Sequence, residues 1–157
     1  MTSITPFLWF DGQAGEAAAF YTELFGDGVV TDTAYYSDVM PERAGQVLTV
    51  SFEIAGQKFV ALNGGSNYAF SPATSFLIDC ADQAEVDHYW DGLLADGGTP
   101  MQCGWLTDRF GVTWQVVPTR LEELMTDPDP EKASRAMRAM LGMVKIDIAE
   151  LERAHAG

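Results

Sequence analysis

The 157-residue sequence predicts an α+β fold: two tandem βαβββ modules whose strands form a curved mixed sheet around a trough, with a helical extension at the C-terminus. Three observations carry that expectation. The chain echoes itself at an offset of about 70 residues, the mark of a repeated unit. Each half reads as strand, helix, then three strands in a row. Beyond Pro118 the periodicity turns helical.

The first module, residues 1–65, opens with the apolar run Ile4 to Phe10, turns at Asp11-Gly12, and continues with apolar residues at Ala17, Phe20, Tyr21, Leu24 and Phe25 before Gly26. Their spacing is that of one helix face. Segments rich in β-branched and aromatic residues follow at Val29 to Tyr36, Val47 to Ile54 and Lys58 to Leu62, the last two joined by a tight Ala55-Gly56 turn. Residues 66–73 form a Gly- and Ser-rich linker. The second module, residues 74–118, repeats the order. A strand at Thr74 to Cys80 precedes a helix capped by Asp82 and carrying Val86, Tyr89, Trp90, Leu93 and Leu94. Strands are expected at Thr99 to Cys103, Trp105-Leu106 and Val112 to Val117. Residues 119–157 are the helical extension: Arg120 to Met125, a second helix with Pro130 at its first position behind Asp129, and a third beginning near Asp147. Its methionines, Met125, Met137, Met140 and Met143, form an apolar stripe expected to pack on the protein itself or on a sister subunit. The whole is expected to act as one domain.

Composition narrows the function. A chain with 47% hydrophobic and 20% charged residues buries a core without staples. Against 23 acidic residues stand 9 Lys and Arg, a net charge of −14 that repels nucleic-acid backbones and anionic lipid surfaces. No apolar stretch approaches membrane-spanning length and the first residues lack a signal-peptide pattern, so a soluble, cytoplasmic protein is expected. Cys80 and Cys103 are expected as free thiols.

Several stretches carry a resemblance. Phe7-Leu8-Trp9-Phe10-Asp11-Gly12-Gln13-Ala14 leading into Phe20-Tyr21, the Leu62-Asn63-Gly64-Gly65 turn, and the run from Cys103 to Pro118 resemble the vicinal oxygen chelate superfamily, which includes glyoxalase I, extradiol dioxygenases and fosfomycin and bleomycin resistance proteins. Within it they are most similar to the PhnB-like branch, also labelled 3-demethylubiquinone-9 3-methyltransferase-like. The resemblance implies a homodimer and leaves the activity unassigned. S-adenosylmethionine chemistry is not expected, because three successive strands without intervening helices cannot complete a doubly wound sheet.

In metal-bound members of the superfamily, His, Gln or Glu side chains on the first and last strands of each module converge on one ion. Those positions are expected near Pro6, Ala61, Ser75 and Gln115, of which only Gln115 could ligate. His88 and His155 lie elsewhere. No metal and no cofactor are therefore expected. The trough is instead expected to hold a small apolar or aromatic molecule among Trp9, Asn63, Ser75, Cys103, Trp105 and Gln115. A divalent-metal lyase or dioxygenase, or a non-catalytic dimeric interaction module, are the alternatives. Each residue also has a plain structural role open to it. Gln115 can satisfy its amide within the protein, Asn63 can be a turn former, and Cys103 can be a buried thiol without reactivity. Strand alternation sets Gln115 opposite Trp114, leaving Trp105 as the favoured pocket aromatic. Asp108-Arg109 is expected as a surface turn with a weak ion pair, with a place for Asp108 at the end of the trough as the alternative.

Overall fold

The computed structural model describes residues 1–157, which divide into two compact units, Met1–Phe70 and Ser71–Gly157. In the first, β1 (Phe7–Phe10) leads into α1 (Ala14–Leu24), followed by β2 (Val29–Tyr35), β3 (Val47–Ile54) and β4 (Gln57–Asn63). They form a four-stranded mixed sheet in the order β1-β4-β3-β2, in which only β1 and β4 run parallel. The second unit repeats this plan with β5 (Ser75–Cys80), α2 (Gln83–Leu94), β6 (Thr99–Pro100), β7 (Trp105–Thr107) and β8 (Thr113–Pro118), in the order β5-β8-β7-β6. Again the first and last strands make the single parallel pair. The doubled βαβββ plan is thus realised as one sheet per unit.

Alternation along the strands separates a buried face from an open one. In the first unit Leu8, Phe10, Val50, Phe52, Ile54, Phe59 and Ala61 are buried together with Ala14, Ala17, Ala18, Tyr21 and Phe25 of α1 and its end. Small alanines on α1 let the helix approach the sheet closely, and Tyr21 stacks on Phe52. In the second unit the buried row is Ile78, Cys80, Leu106, Trp114 and Val116, with Val86, Trp90 and Leu93 supplied by α2.

Register corrects one expectation. Ala61 pairs with Leu8 and Val50, is wholly buried, and so belongs to the helix-covered face rather than the open one. A shift of one residue moves a strand position to the opposite face, and Val60 and Leu62 are the open-face residues. Neither can ligate a metal. A second correction concerns β6, expected to run to Cys103. Cys103 adopts a left-handed conformation with φ of 59° and Met101 N–H bonds to Trp105 O, so the chain turns after Pro100.

The C-terminal elements are α3 (Thr119–Met125), α4 (Pro130–Leu141) and α5 (Ile148–Ala156). Their caps follow the sequence: Asp129 accepts from Glu131 N–H ahead of Pro130, and Asp147 accepts from Glu150 N–H. Leu121, Leu124, Ala136, Met143, Ile146 and Leu151 form their core, with Met125 and Met140 packed on it, while Met137 stays exposed. Within the second unit this extension is stitched to the turn before β7 and to α2. Cys103 and Gly104 donate their backbone N–H groups to Met143 O and Val144 O, both at 2.8 Å, and the Gln83 amide bonds Ile146 O and Ile148 N–H. Gly104 is required there, because a Cβ would lie 2.9 Å from Val116 O and 3.1 Å from the Ile146 side chain.

Candidate functional site

On the open face of the second sheet, Leu77 and Trp105 are both the register partners of Gln115, so Trp105 and Gln115 stand side by side. Gln115 Nε2 donates to Ser75 Oγ at 2.9 Å. That bond orients the amide and leaves its Oε1 as an acceptor on a half-buried surface. Thr113, the register partner of both Ser75 and Thr107, is buried, and its Oγ1 has no hydrogen-bond partner. A buried hydroxyl without a partner is costly, typically about 1–3 kcal/mol. Ser75 and Gln115 therefore make a polar pair beside the Trp105 indole, with an amide acceptor left unspent and Thr113 buried next to Ser75 in the register.

The other sequence-predicted positions do different work. Cys103 is half-buried in the turn before β7, where its backbone holds the C-terminal extension. Trp9 donates its indole N–H to Gly65 O at 2.8 Å and meets Tyr68 edge-on. Its ring crosses Gly64 so closely that a Cβ there would sit 2.3 Å from it, which explains the glycine. Asn63 uses both ends of its amide: Oδ1 accepts from Ala14 N–H at 2.9 Å and Nδ2 donates to Val47 O at 3.1 Å. It thus caps α1 from outside, since Gln13 makes no side-chain cap, and ties the ends of β3 and β4.

The first unit also contains a cavity of about 570 Å³ among its loops, whose walls include Asp11, Tyr36, Arg43, Gln46, Asn63 and Gly65. Tyr36 donates to Asn63 O at 2.5 Å and accepts from Arg43 Nη1 at 3.0 Å. Arg43 lies in the Pro- and Gly-containing loop between β2 and β3, a stretch without periodicity, and no sequence pattern singled it out.

Asp108 corrects a third expectation. It is 3% exposed, not a surface turn residue, and its carboxylate accepts from Phe110 N–H, Val112 N–H and the Trp114 indole at 2.9, 3.1 and 2.9 Å. Arg109 instead reaches Asp96 at 3.7 Å. Cys80 is fully buried, and burial, followed by the carboxylates of Glu85, Asp79 and Asp82, pushes its thiol up to about 12, far from a reactive thiolate. No group of three or more His, Cys, Asp or Glu side chains is positioned to hold a metal ion. No helix is long and apolar enough to cross a membrane.

Two sheets of order 1-4-3-2, each with a helix following its first strand, define a glyoxalase-type fold of the vicinal oxygen chelate superfamily. Residues 2–117 match the family described as 3-demethylubiquinone-9 3-methyltransferase, and the chain belongs to that PhnB-like family. A PhnB protein from Bacillus cereus, described as a 3-demethylubiquinone-9 3-methyltransferase, is 32% identical with a TM-score of 0.67, covering 75% of this chain and 100% of its own. Protein PA1353 from Pseudomonas aeruginosa (22% identity, TM-score 0.62, 75% of this chain and 98% of its own) shares the fold. So does the fosfomycin resistance protein FosX from Listeria monocytogenes (16% identity, TM-score 0.55, 78% and 97%). No curated protein matches the chain.

Proposed function

We propose that the protein binds a small, mainly apolar or aromatic molecule on the open face of its second sheet, without a tightly held divalent ion. The observation that carries this reading is the Ser75–Gln115 pair beside Trp105. An indole wall offers stacking area, and a held amide with a free acceptor supplies direction, the usual composition of a small-molecule site. A hydroxyl and an amide do not fit a catalytic divalent ion, which takes three or more imidazole, carboxylate or thiolate donors. On β1 and β4 of the first unit, the open-face residues Trp9, Val60 and Leu62 add no such donor.

Transfer of a methyl group from S-adenosylmethionine, which the family description suggests, finds no support in this fold. Each sheet has a single parallel pair, so there is no switch point of a doubly wound sheet where a nucleotide cofactor would lie. The chain is proposed to work as a homodimer, in line with its family.

A panel of aromatic and aliphatic metabolites, scored by thermal stabilisation, tests the reading. A ligand at 100 times its dissociation constant adds about 2.7 kcal/mol. Hits are expected to lose about tenfold or more in affinity on Trp105→Ala or Gln115→Ala. Hits indifferent to both substitutions would place the ligand elsewhere and overturn the reading.

A further inference from the structure

Independently of the second sheet's open face, we infer that the loop cavity of the first unit is an oxyanion site, taking the carboxylate or phosphate group of a small polar molecule on Arg43. Arg109 reaches Asp96, Arg120 reaches Glu123 and Glu152, and Lys145 reaches Asp87, each meeting a carboxylate. Arg43 does not. Its held contacts are the Tyr36 hydroxyl, at 3.0 Å from Nη1, and the Tyr36 ring, whose centroid lies 5.4 Å from the guanidinium carbon.

That arrangement is built. Tyr36 is itself fixed by its bond to Asn63 O, and Asn63 is fixed by Ala14 and Val47, so the guanidinium hangs from a chain of hydrogen bonds rooted in β4 and α1. Gly65 has φ of +100°, and a Cβ on it would lie 3.2 Å from Arg43 Nη2, so any side chain there would crowd the guanidinium. An arginine ordered in advance, with one of its five N–H donors committed to Tyr36, retains the planar fork that matches carboxylate and phosphate oxygens. The start of α1, two residues beyond Gly12 in the cavity wall, adds the positive end of its dipole. Asp11 lines the same cavity and works against an anion. It makes the inference testable in both directions.

The test is a titration of the intact, isotope-labelled chain with malonate and with inorganic phosphate, against sodium chloride at matched ionic strength, followed by amide and arginine Nε resonances. Saturable shifts are expected at Gly12, Gly45, Gly65 and Arg43 Nε with malonate, phosphate or both, and not with chloride. Arg43→Gln should weaken binding about tenfold or more. Because that change could disturb the loop, Asp11→Asn serves as the second variant and should tighten binding about two- to fivefold. Failure of both anions to saturate, a response shared with chloride, or affinity unmoved by either substitution would overturn the inference. A result here leaves the reading of the second sheet's face untouched, since no residue is common to both.

Discussion

The Trp114 indole N–H donates to Asp108 Oδ2 at 2.9 Å, between two residues that are 2% and 3% exposed. With Phe110 and Val112 N–H also directed at the same carboxylate, Asp108 organises the turn that feeds β8, the strand bearing Thr113 and Gln115. Replacing Asp108 by Ala strands two buried donors and one half-buried donor and should cost about 2–4 kcal/mol. Trp114→Phe removes one donor from this carboxylate and should cost about 1–3 kcal/mol. Urea unfolding checks both: the midpoint should fall while the slope holds.

Asn63 offers a second, separable test. Asn63→Ala removes the external cap of α1 and the tie to Val47, so a loss of about 1–3 kcal/mol is expected. Faster amide exchange at Ala14 relative to the middle of α1 should accompany it. Unchanged protection at Ala14 would contradict the capping role.

Gly104 is where the C-terminal extension meets the second sheet. Alanine there needs a φ of +83° and pushes on Val116 O and Ile146, so Gly104→Ala should destabilise the protein by about 1–3 kcal/mol. Hydrogen exchange should rise first at Gly104 and Ile148, whose N–H groups cross that seam.

The two thiols should behave differently. Alkylation with iodoacetamide near neutral pH, read by peptide mass spectrometry, should modify half-exposed Cys103 and spare Cys80. Cys80 also sets a pH dependence. Its folded-state thiol, at about 12, lies above the unfolded value near 9.0, so the unfolded chain loses its proton first. The stability it contributes is complete below pH 9 and is lost as pH rises towards 12. Cys80→Ala should flatten that alkaline decline.

Much of this architecture was legible in the residues because it rests on local rules. Helix faces followed the 3.6 period, Asp82, Asp129 and Asp147 cap as their positions imply, and Ala55-Gly56 makes the tight turn with φ of 49° and 76°. What stayed hidden depends on partners distant in sequence or on a single backbone angle. Asp108-Arg109 reads as an exposed turn until Trp114 folds back onto it. The spacing Asp108 to Gly111, with a tryptophan three residues further on, is the one local hint. Ala61 lies one residue away from the open-face positions Val60 and Leu62, a register that only the pairing with β3 fixes, and nothing local marks Cys103 as left-handed, so the early end of β6 is not readable from its residues. Arg43 could not be singled out at all, since its role comes from Tyr36 and Asn63 meeting it across a loop.

The most direct test of the central claim, a glyoxalase-type fold that binds its ligand without a divalent ion, is elemental analysis of the purified full chain before and after loading with Zn, Ni, Mn or Fe and exhaustive dialysis. The expected result is far below stoichiometric retention of every metal. Retention of more than about half an equivalent of any of them, lost on Gln115→Ala, would contradict the account.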